Sequence, residues 1–455
     1  MASIQKKKDT NYLVYDSYDN PENKRLQIWD PIPDDKDPKI ALREFELKQR
    51  KGKLITRSNR TFEDLFSEFY LLHAQNTKQQ NGTYDSNCGL IINHITPHIG
   101  NKVVQKFDNR EYALYLNLLG RKVKNSYKDG VEINKPSILQ KRDIEQCLSK
   151  ETIRKIIILM NLAFKHAKAW KCIEEIPEIT SKLKKDSSET PETQIWEAGM
   201  AHDALNIMES EDLLLCLAVH IAFMGTLRGG EAIGITLDII NLDRGDFYIG
   251  QTIQRVSKKS LDDLPNDSII RIFPAKARDK DTILVLKEPK TKSSKRKIGM
   301  PPPLQEAIIK RINEIEEQKT KLGPLYNDFN LLFALPDGNP MEPNLINRKF
   351  KKWQKNHPEF QWITFKGLRH SGTTYKLMIS NGDIKAVQAD TGHSTARMVT
   401  DTYAHITDSP RKAMVNKINN DFYSAKSRPE SANELFAVLK QDPAMLKTLF
   451  LAAMS

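Results

Sequence analysis

Four side chains near the C-terminal end of the sequence are of the kinds that phosphate chemistry uses. The stretch Thr364–His405, TFKGLRHSGTTYKLMISNGDIKAVQADTGHSTARMVTDTYAH, holds Lys366, Arg369, His393 and Tyr403. Lys366 and Arg369 are three apart, so on a helix or tight turn they share a face. Gly392-His393-Ser394 reads as a break and a cap, which sets His393 at the start of a short helix. Tyr403 follows ten residues later on a segment of its own. Two cations, an imidazole and a phenol can thus meet on one phosphate without any metal ligand set.

Taken singly, each has a plainer reading. A tyrosine before Ala-His is far more often a packing residue than a nucleophile, and Gly-His-Ser is usually just a turn. Two upstream pieces change the weight. Arg228 stands in GTLRGGE, where Gly225, Gly229 and Gly230 favour close approach of another backbone. Its guanidinium is always charged and presents forked donors that suit two phosphate oxygens. Glu231 reads as a buttress pairing with a nearby donor rather than as a catalyst. Lys290 stands in EPKTKSSKRKI, a basic hairpin crowded by Lys287, Lys292, Lys295, Arg296 and Lys297. Those neighbours are expected to serve a nucleic-acid phosphate backbone, and the choice of Lys290 over Lys292 rests on motif register alone.

In this order the set resembles the tyrosine recombinase (phage integrase) family. The family's motifs run Leu-Arg-x-Gly-Glu, a hairpin lysine in a Pro-Lys-Thr-x-Ser-x-Arg setting, His-x-x-Arg, Gly-His and Tyr. Five of six positions match, and Lys366 stands where a His is more usual. The resemblance implies that Arg228 and Arg369 clamp the non-bridging oxygens and that His393 hydrogen-bonds the same phosphate. It implies that Lys290 protonates the departing 5′ oxygen and that Tyr403 attacks phosphorus, leaving a 3′-phosphotyrosine. Lys366 leaves the identity of the base open, because a lysine acts as one only if its pKa falls greatly. His370, beside Arg369, is expected to pack within the domain. No cofactor and no metal is implied.

The resemblance covers residues 58–410, most strongly 220–405. It implies a multidomain, mainly α chain: an all-helical core-binding domain, a mixed α+β catalytic domain and a small α+β N-terminal unit that grips arm-site DNA. The implied function is integration and excision of a mobile element, by a homotetramer on double-stranded DNA with accessory DNA-bending or excision proteins. The rivals are a type IB topoisomerase or telomere resolvase, and a non-catalytic DNA-binding regulator on the same scaffold.

The elements that must position these residues follow from pattern. In 1–57, Tyr12–Tyr15 and Arg25–Trp29 read as two strands around Asp19-Asn20-Pro21, then a helix opens at Asp37-Pro38 and closes at Gly52. Residues 58–178 read as helical. Thr61 caps a helix with Leu65, Phe66, Phe69 and Leu72 on its apolar face, and others span Asp85–Ile95 and Arg110–Leu119. Ser149 caps a long one carrying Ile153, Ile156, Ile157, Met160 and Phe164. Arg121–Lys135 is expected to be a surface loop, and His94 and His98 ordinary turn and surface residues with no third ligand. Residues 179–193 are linker, Ser- and Thr-rich with Pro191. The catalytic domain, 194–425, opens with a buried helix over Leu213–Met224. It continues through a strand at Phe247–Gln251, a polar excursion at Ser257–Asp281, a strand at Ile283–Leu286 and an amphipathic helix that ends at Gly323-Pro324. The tail, 426–455, carries an apolar face that either packs on the chain itself or, as the resemblance implies, docks on a neighbouring protomer.

Composition agrees with a nucleic-acid partner. The 455 residues carry a formal net charge of +12, an excess that suits a polyanion, although a ribosome-associated or membrane-surface protein can share it. Cys88, Cys147, Cys172 and Cys216 are scattered, with no Cys-x-x-Cys pair, which fits a reducing cytosol. No secretory leader is expected at Met1–Thr10, and the Leu213–Met224 run is too short to span a bilayer. The expected location is cytoplasmic, at the nucleoid.

Overall fold

The computed structural model describes residues 2–17, 25–50, 58–178, 194–264, 268–275 and 281–403. Gly52, the Asp19-Asn20-Pro21 turn, the 179–193 linker and the tail after Tyr403 lie outside them.

The N-terminal unit is an antiparallel three-stranded sheet in the order β1 (Ser3–Lys7), β2 (Thr10–Ser17), β3 (Leu26–Pro31), with helix α1 (Pro38–Arg50) across it. Leu13, Tyr15 and Ile32 form its small core, against Ala41, Leu42 and Phe45 of the helix. Sequence reading finds two strands and the structure has three. β1 reads SIQKK and is an edge strand whose Lys6 and Lys7 face solvent, so it lacks the apolar alternation that betrays a strand.

The helical unit is built on α2 (Phe62–Asn76), α3 (Asn81–Leu90), α4 (Thr96–Ile99), α5 (Asn109–Arg121) and α6 (Lys150–Ala169). A reciprocal capping box starts α2: Asp64 N donates to Thr61 Oγ1 at 3.2 Å, and Thr61 N to the Asp64 carboxylate at 3.0 Å. Ser149 caps α6 by accepting from Thr152 N at 3.1 Å. The expected helix over Asp85–Ile95 begins earlier, at Asn81, and its last residues, Ile91–Ile95, widen into a π-turn. Phe62, Phe107, Tyr112 and Phe164 pack edge-on in the core.

The stretch expected as a surface loop after α5 is partly buried. It forms a short hairpin, β4 (Tyr127–Lys128) with β5 (Val131–Glu132), and sinks Lys122 completely. Lys122 Nζ donates to Asn93 O at 2.6 Å, meets His98 Nε2 at 2.8 Å and lies 3.8 Å from the Tyr127 ring centre. His94 and His98 are therefore packed residues, not surface ones. Burial, then the nearby Lys122, holds each imidazole down to about 4. A cation faces them where a metal would need a further ligand.

The third unit begins where Trp196 anchors the chain. Trp196 Nε1 donates to Gln361 O at 2.7 Å, and the ring stacks edge-on against Phe350. Helices α7 (Ala198–Glu211), α8 (Leu213–Met224) and α9 (Gly229–Ile233) lead into two small antiparallel sheets. One has the order β8 (Thr252–Ser257), β10 (Thr282–Lys287), β9 (Ile269–Ile272); the other β11 (Arg296–Gly299), β7 (Asp246–Ile249), β6 (Ile240–Asn241). β10 and β11 lie in different sheets, so the basic segment between them is a crossover and not the expected hairpin. The polar excursion holds α10 (Lys258–Asp263) and β9, and α10 docks on the helical unit. Asp85 accepts from Ser257 N at 2.9 Å, Asn81 Nδ2 donates to Ser260 O at 2.7 Å, Tyr84 OH donates to Asp263 at 2.9 Å, and Leu264 is buried in the helical unit's core.

Helices α11 (Pro302–Leu322), α12 (Pro343–Asn356), α13 (Phe365–Ile379), α14 (Ile384–Thr391) and α15 (Ala396–Tyr403) complete the described residues. α13 crosses α8 so closely at Gly372 that a Cβ there would lie 2.0 Å from Phe223 O. Only a glycine permits that approach, which carries Arg369 down beside the end of α8.

Candidate active site

Arg228 sits just past the turn that ends α8. Thr226 adopts φ 49°, an uncommon region for a β-branched residue, and is fully buried. Arg228 then takes the N-cap position of α9, and its head is held by Glu231. The carboxylate accepts from Arg228 N at 3.1 Å and from Nη1 at 2.6 Å. Glu231 is itself buried, so it is the buttress that its spacing suggests.

Arg369 comes up from the second turn of α13, which starts when Thr364 Oγ1 accepts from Gly367 N at 3.1 Å. It is 4 % exposed. Nη1 donates to Thr226 O, while Nη2 is buried with no hydrogen-bond partner. Burial, then the nearby Arg228, lowers its pKa to about 9, so it stays charged at neutral pH. His393 follows α14, which ends on Gly392 at φ 67°. It is buried, and Thr391 Oγ1 holds its Nδ1 at 2.6 Å, leaving Nε2 as the free nitrogen. Burial first, then Arg369 and Arg228, bring its pKa down to about 4, which makes it a neutral imidazole at pH 7.

Arg228, Lys366, Arg369, His370 and His393 line one open trough of about 1450 Å³. Within it an unpaired buried guanidinium nitrogen, a half-exposed Arg228 and a neutral imidazole surround a position with excess positive charge. Such a constellation suits a tetrahedral anion with two non-bridging oxygens.

Residues 200–409 match the model of the phage integrase family. Across 218 residues the chain is 23 % identical to the integrase of Staphylococcus phage L54a, covering 48 % of this chain and 55 % of that one. It is 26 % identical over 205 residues to a XerC-like tyrosine recombinase of Caldanaerobacter subterraneus subsp. tengcongensis, covering 44 % and 48 %. The chain thus spans about half the length of the curated relatives it matches. In fold it is similar to the Tn1549 transposon integrase solved with a circular-intermediate DNA, at a TM-score of 0.55 and 17 % identity over 79 % of this chain and 99 % of that one.

The remaining candidates are placed unevenly. Lys366 is exposed on the first turn of α13 and lines the trough. His370, half-buried, lines it too; burial, then Lys366 and Arg369, lower its pKa. Lys290 is exposed in the bend after β10, and Lys297 is exposed on β11. Lys295 is paired with Glu288 at 2.9 Å. Tyr403 ends α15, whose Val399 packs with Leu377 and Val387; the Tyr403 and Lys292 side chains lie outside the description.

Two expected DNA contacts are wrong. Lys287 is 3 % exposed and its Nζ donates to Gln80 Oε1 of the helical unit at 2.5 Å. Burial, then Lys290 close by, lowers its pKa. Arg296 is also buried and faces the protein. Arg296 falls on an inward position of the alternating β11, while Lys287 ends a run of four buried residues in β10, the central strand of its sheet; charge alone reveals neither. Sequence reading also missed Thr391, the residue that orients His393, although its place directly before Gly-His marked it for inspection.

Proposed function

We propose that this chain is a site-specific DNA recombinase that integrates and excises a mobile element. It cleaves and rejoins strands through a 3′-phosphotyrosine. The observation that carries this reading is Arg369 Nη2, a charged donor buried without a partner beside Arg228 and His393. An unsatisfied buried guanidinium is costly unless an anion completes it.

In this reading Arg228 and Arg369 bind the two non-bridging oxygens of the scissile phosphate. They offset the charge that gathers in the pentavalent transition state. The Tyr403 oxygen forms the new bond to phosphorus as the bond from phosphorus to the 5′ oxygen breaks. Lys290 gives that leaving oxygen its proton. A phenol of pKa about 10 is ionised only to roughly one part in a thousand at neutral pH, so its own proton needs an acceptor. Lys366, which lines the trough, or a water takes that proton. His393, oriented by Thr391, hydrogen-bonds the same phosphate. Reversal by a free 5′ hydroxyl reseals a strand without ATP, since the phosphotyrosine keeps the ester's energy.

The wider organisation is part of the same proposal. Residues 58–178 and 194–425 close on opposite faces of the duplex, 179–193 joins them, and 1–57 grips arm-site DNA. The segment 426–455 docks on the next protomer of a homotetramer, and bending or excision proteins assist. Among the described residues no helix is long and apolar enough to cross a membrane, in keeping with action at the nucleoid.

The decisive experiment traps the chain on a nicked duplex bearing one core site and maps the residue joined to DNA. The expected adduct is at Tyr403, and Tyr403→Phe leaves none. Cleavage and rejoining by the Tyr403→Phe protein sinks the proposal.

A further inference from the structure

Arg296 belongs by sequence to the basic crossover, yet only 5 % of its side chain reaches solvent. Every nitrogen of its guanidinium is spent on the protein. Nε donates to Asp390 O at 2.9 Å, Nη1 to Ser294 O at 3.0 Å and Nη2 to Gly225 O at 3.3 Å. Nη2 also stands 3.6 Å from Glu231 Oε2, the oxygen that accepts the Arg228 N–H.

These partners come from separate parts of the fold. Gly225 opens the turn that delivers Arg228, and Asp390 stands three residues before His393. Gly392, in the left-handed region, lies directly on the fork: a Cβ there would be 2.9 Å from Arg296 Nη1 and 2.9 Å from Ser293 O. Neighbouring carbonyls of one turn each take a different arginine, Gly225 O from Arg296 and Thr226 O from Arg369. A planar fork with fixed donor directions spans such acceptors, and a lysine's single nitrogen does not.

We propose that Arg296 is a positioning residue, which locks the turn bearing Arg228 and the turn bearing His393 into register on the same phosphate and does not touch DNA. This rests on the recombinase reading above. A carbonyl-to-carbonyl strut of this kind sets the spacing of two reactive groups carried by different elements. Misplacement by about 1 Å is enough to cost on the order of 10²-fold in rate.

The test compares full-length Arg296→Lys and Arg296→Met with the wild type. Duplex binding is measured across a salt series, and single-turnover cleavage of a nicked core-site duplex at saturating DNA. Both variants are expected to bind within about threefold of wild type with the same salt slope, and to cleave about 10- to 100-fold more slowly. Arg296→Met is also expected to raise the His393 imidazole pKa, followed by NMR of labelled histidine, because a nearby positive charge has gone; Arg296→Lys raises it less. Cleavage within twofold of wild type by either folded variant overturns the proposal. So does weakened binding with a salt slope shallower by about one phosphate, which marks a DNA contact. If both variants melt below assay temperature, Arg296 is only a stability residue and the proposal is likewise overturned. If the wild type forms no covalent complex, the recombinase reading fails by itself. The His393 titration then decides this proposal, and an unmoved pKa in a folded Arg296→Met protein refutes it.

Discussion

Arg369 is buried against a carbonyl on one side and against nothing on the other, and that asymmetry has a measurable consequence. Replacing it with alanine is expected to lower single-turnover cleavage by about 10²–10³-fold, the usual loss for one donor to a developing oxyanion. Affinity for the duplex should change only a few-fold, because many other cations bind the backbone. An equal loss in binding and in cleavage would mean that Arg369 only anchors DNA. Far from this site, Lys122 makes a different prediction. Its ammonium is packed under Tyr127 and beside His98, and burial lowers its pKa from 10.5 to about 7, against a smaller opposing pull from Glu132. Between those values the unfolded chain holds a proton that the folded chain has released. Stability therefore rises with pH across that window. His94 and His98, held down to about 4, stay neutral throughout it. Melting curves at pH 7 and pH 9.5 should show wild type gaining relative to Lys122→Met; parallel curves would show Lys122 titrating normally.

Among elements, the helices were the most legible. Thr61 and Ser149 are caps that the sequence announces, and period gives the buried faces of α2 and α6, except that Leu72, expected on the apolar face of α2, is exposed. The proposed catalytic positions stand out for another reason: chemistry restricts them to few residue types at fixed order. Long-range pairing was hidden. Nothing in SKKSLDDL says that Asp85, far upstream, will take the N-terminus of α10, or that Leu264 will enter another unit's core. Nothing in KTKSSKRKI separates the inward Arg296 from the outward Lys297, since exposure depends on which strand lies beside it. Leu264→Ala tests the docking. Deleting a buried leucine costs about 2–5 kcal/mol, here charged to the contact between units, so calorimetry should resolve two transitions where the intact contact gives one. A single transition, merely lowered, would place the loss within one unit.

At the scale of the whole molecule, a charge of +12 predicts that DNA binding falls steeply with salt. The log–log slope is about −0.9 for each phosphate neutralised, and a flat response in a filter-binding series would count against a clamp. The contact made by α10 bears on the same scale. Because Asn81, Tyr84, Asp85 and Leu264 tie the helical unit to the catalytic one directly, the peptide between residues 178 and 194 is not their sole tether. A protease that nicks the chain there should release nothing: the halves ought to co-elute from a sizing column, separating only when Leu264 is replaced by aspartate.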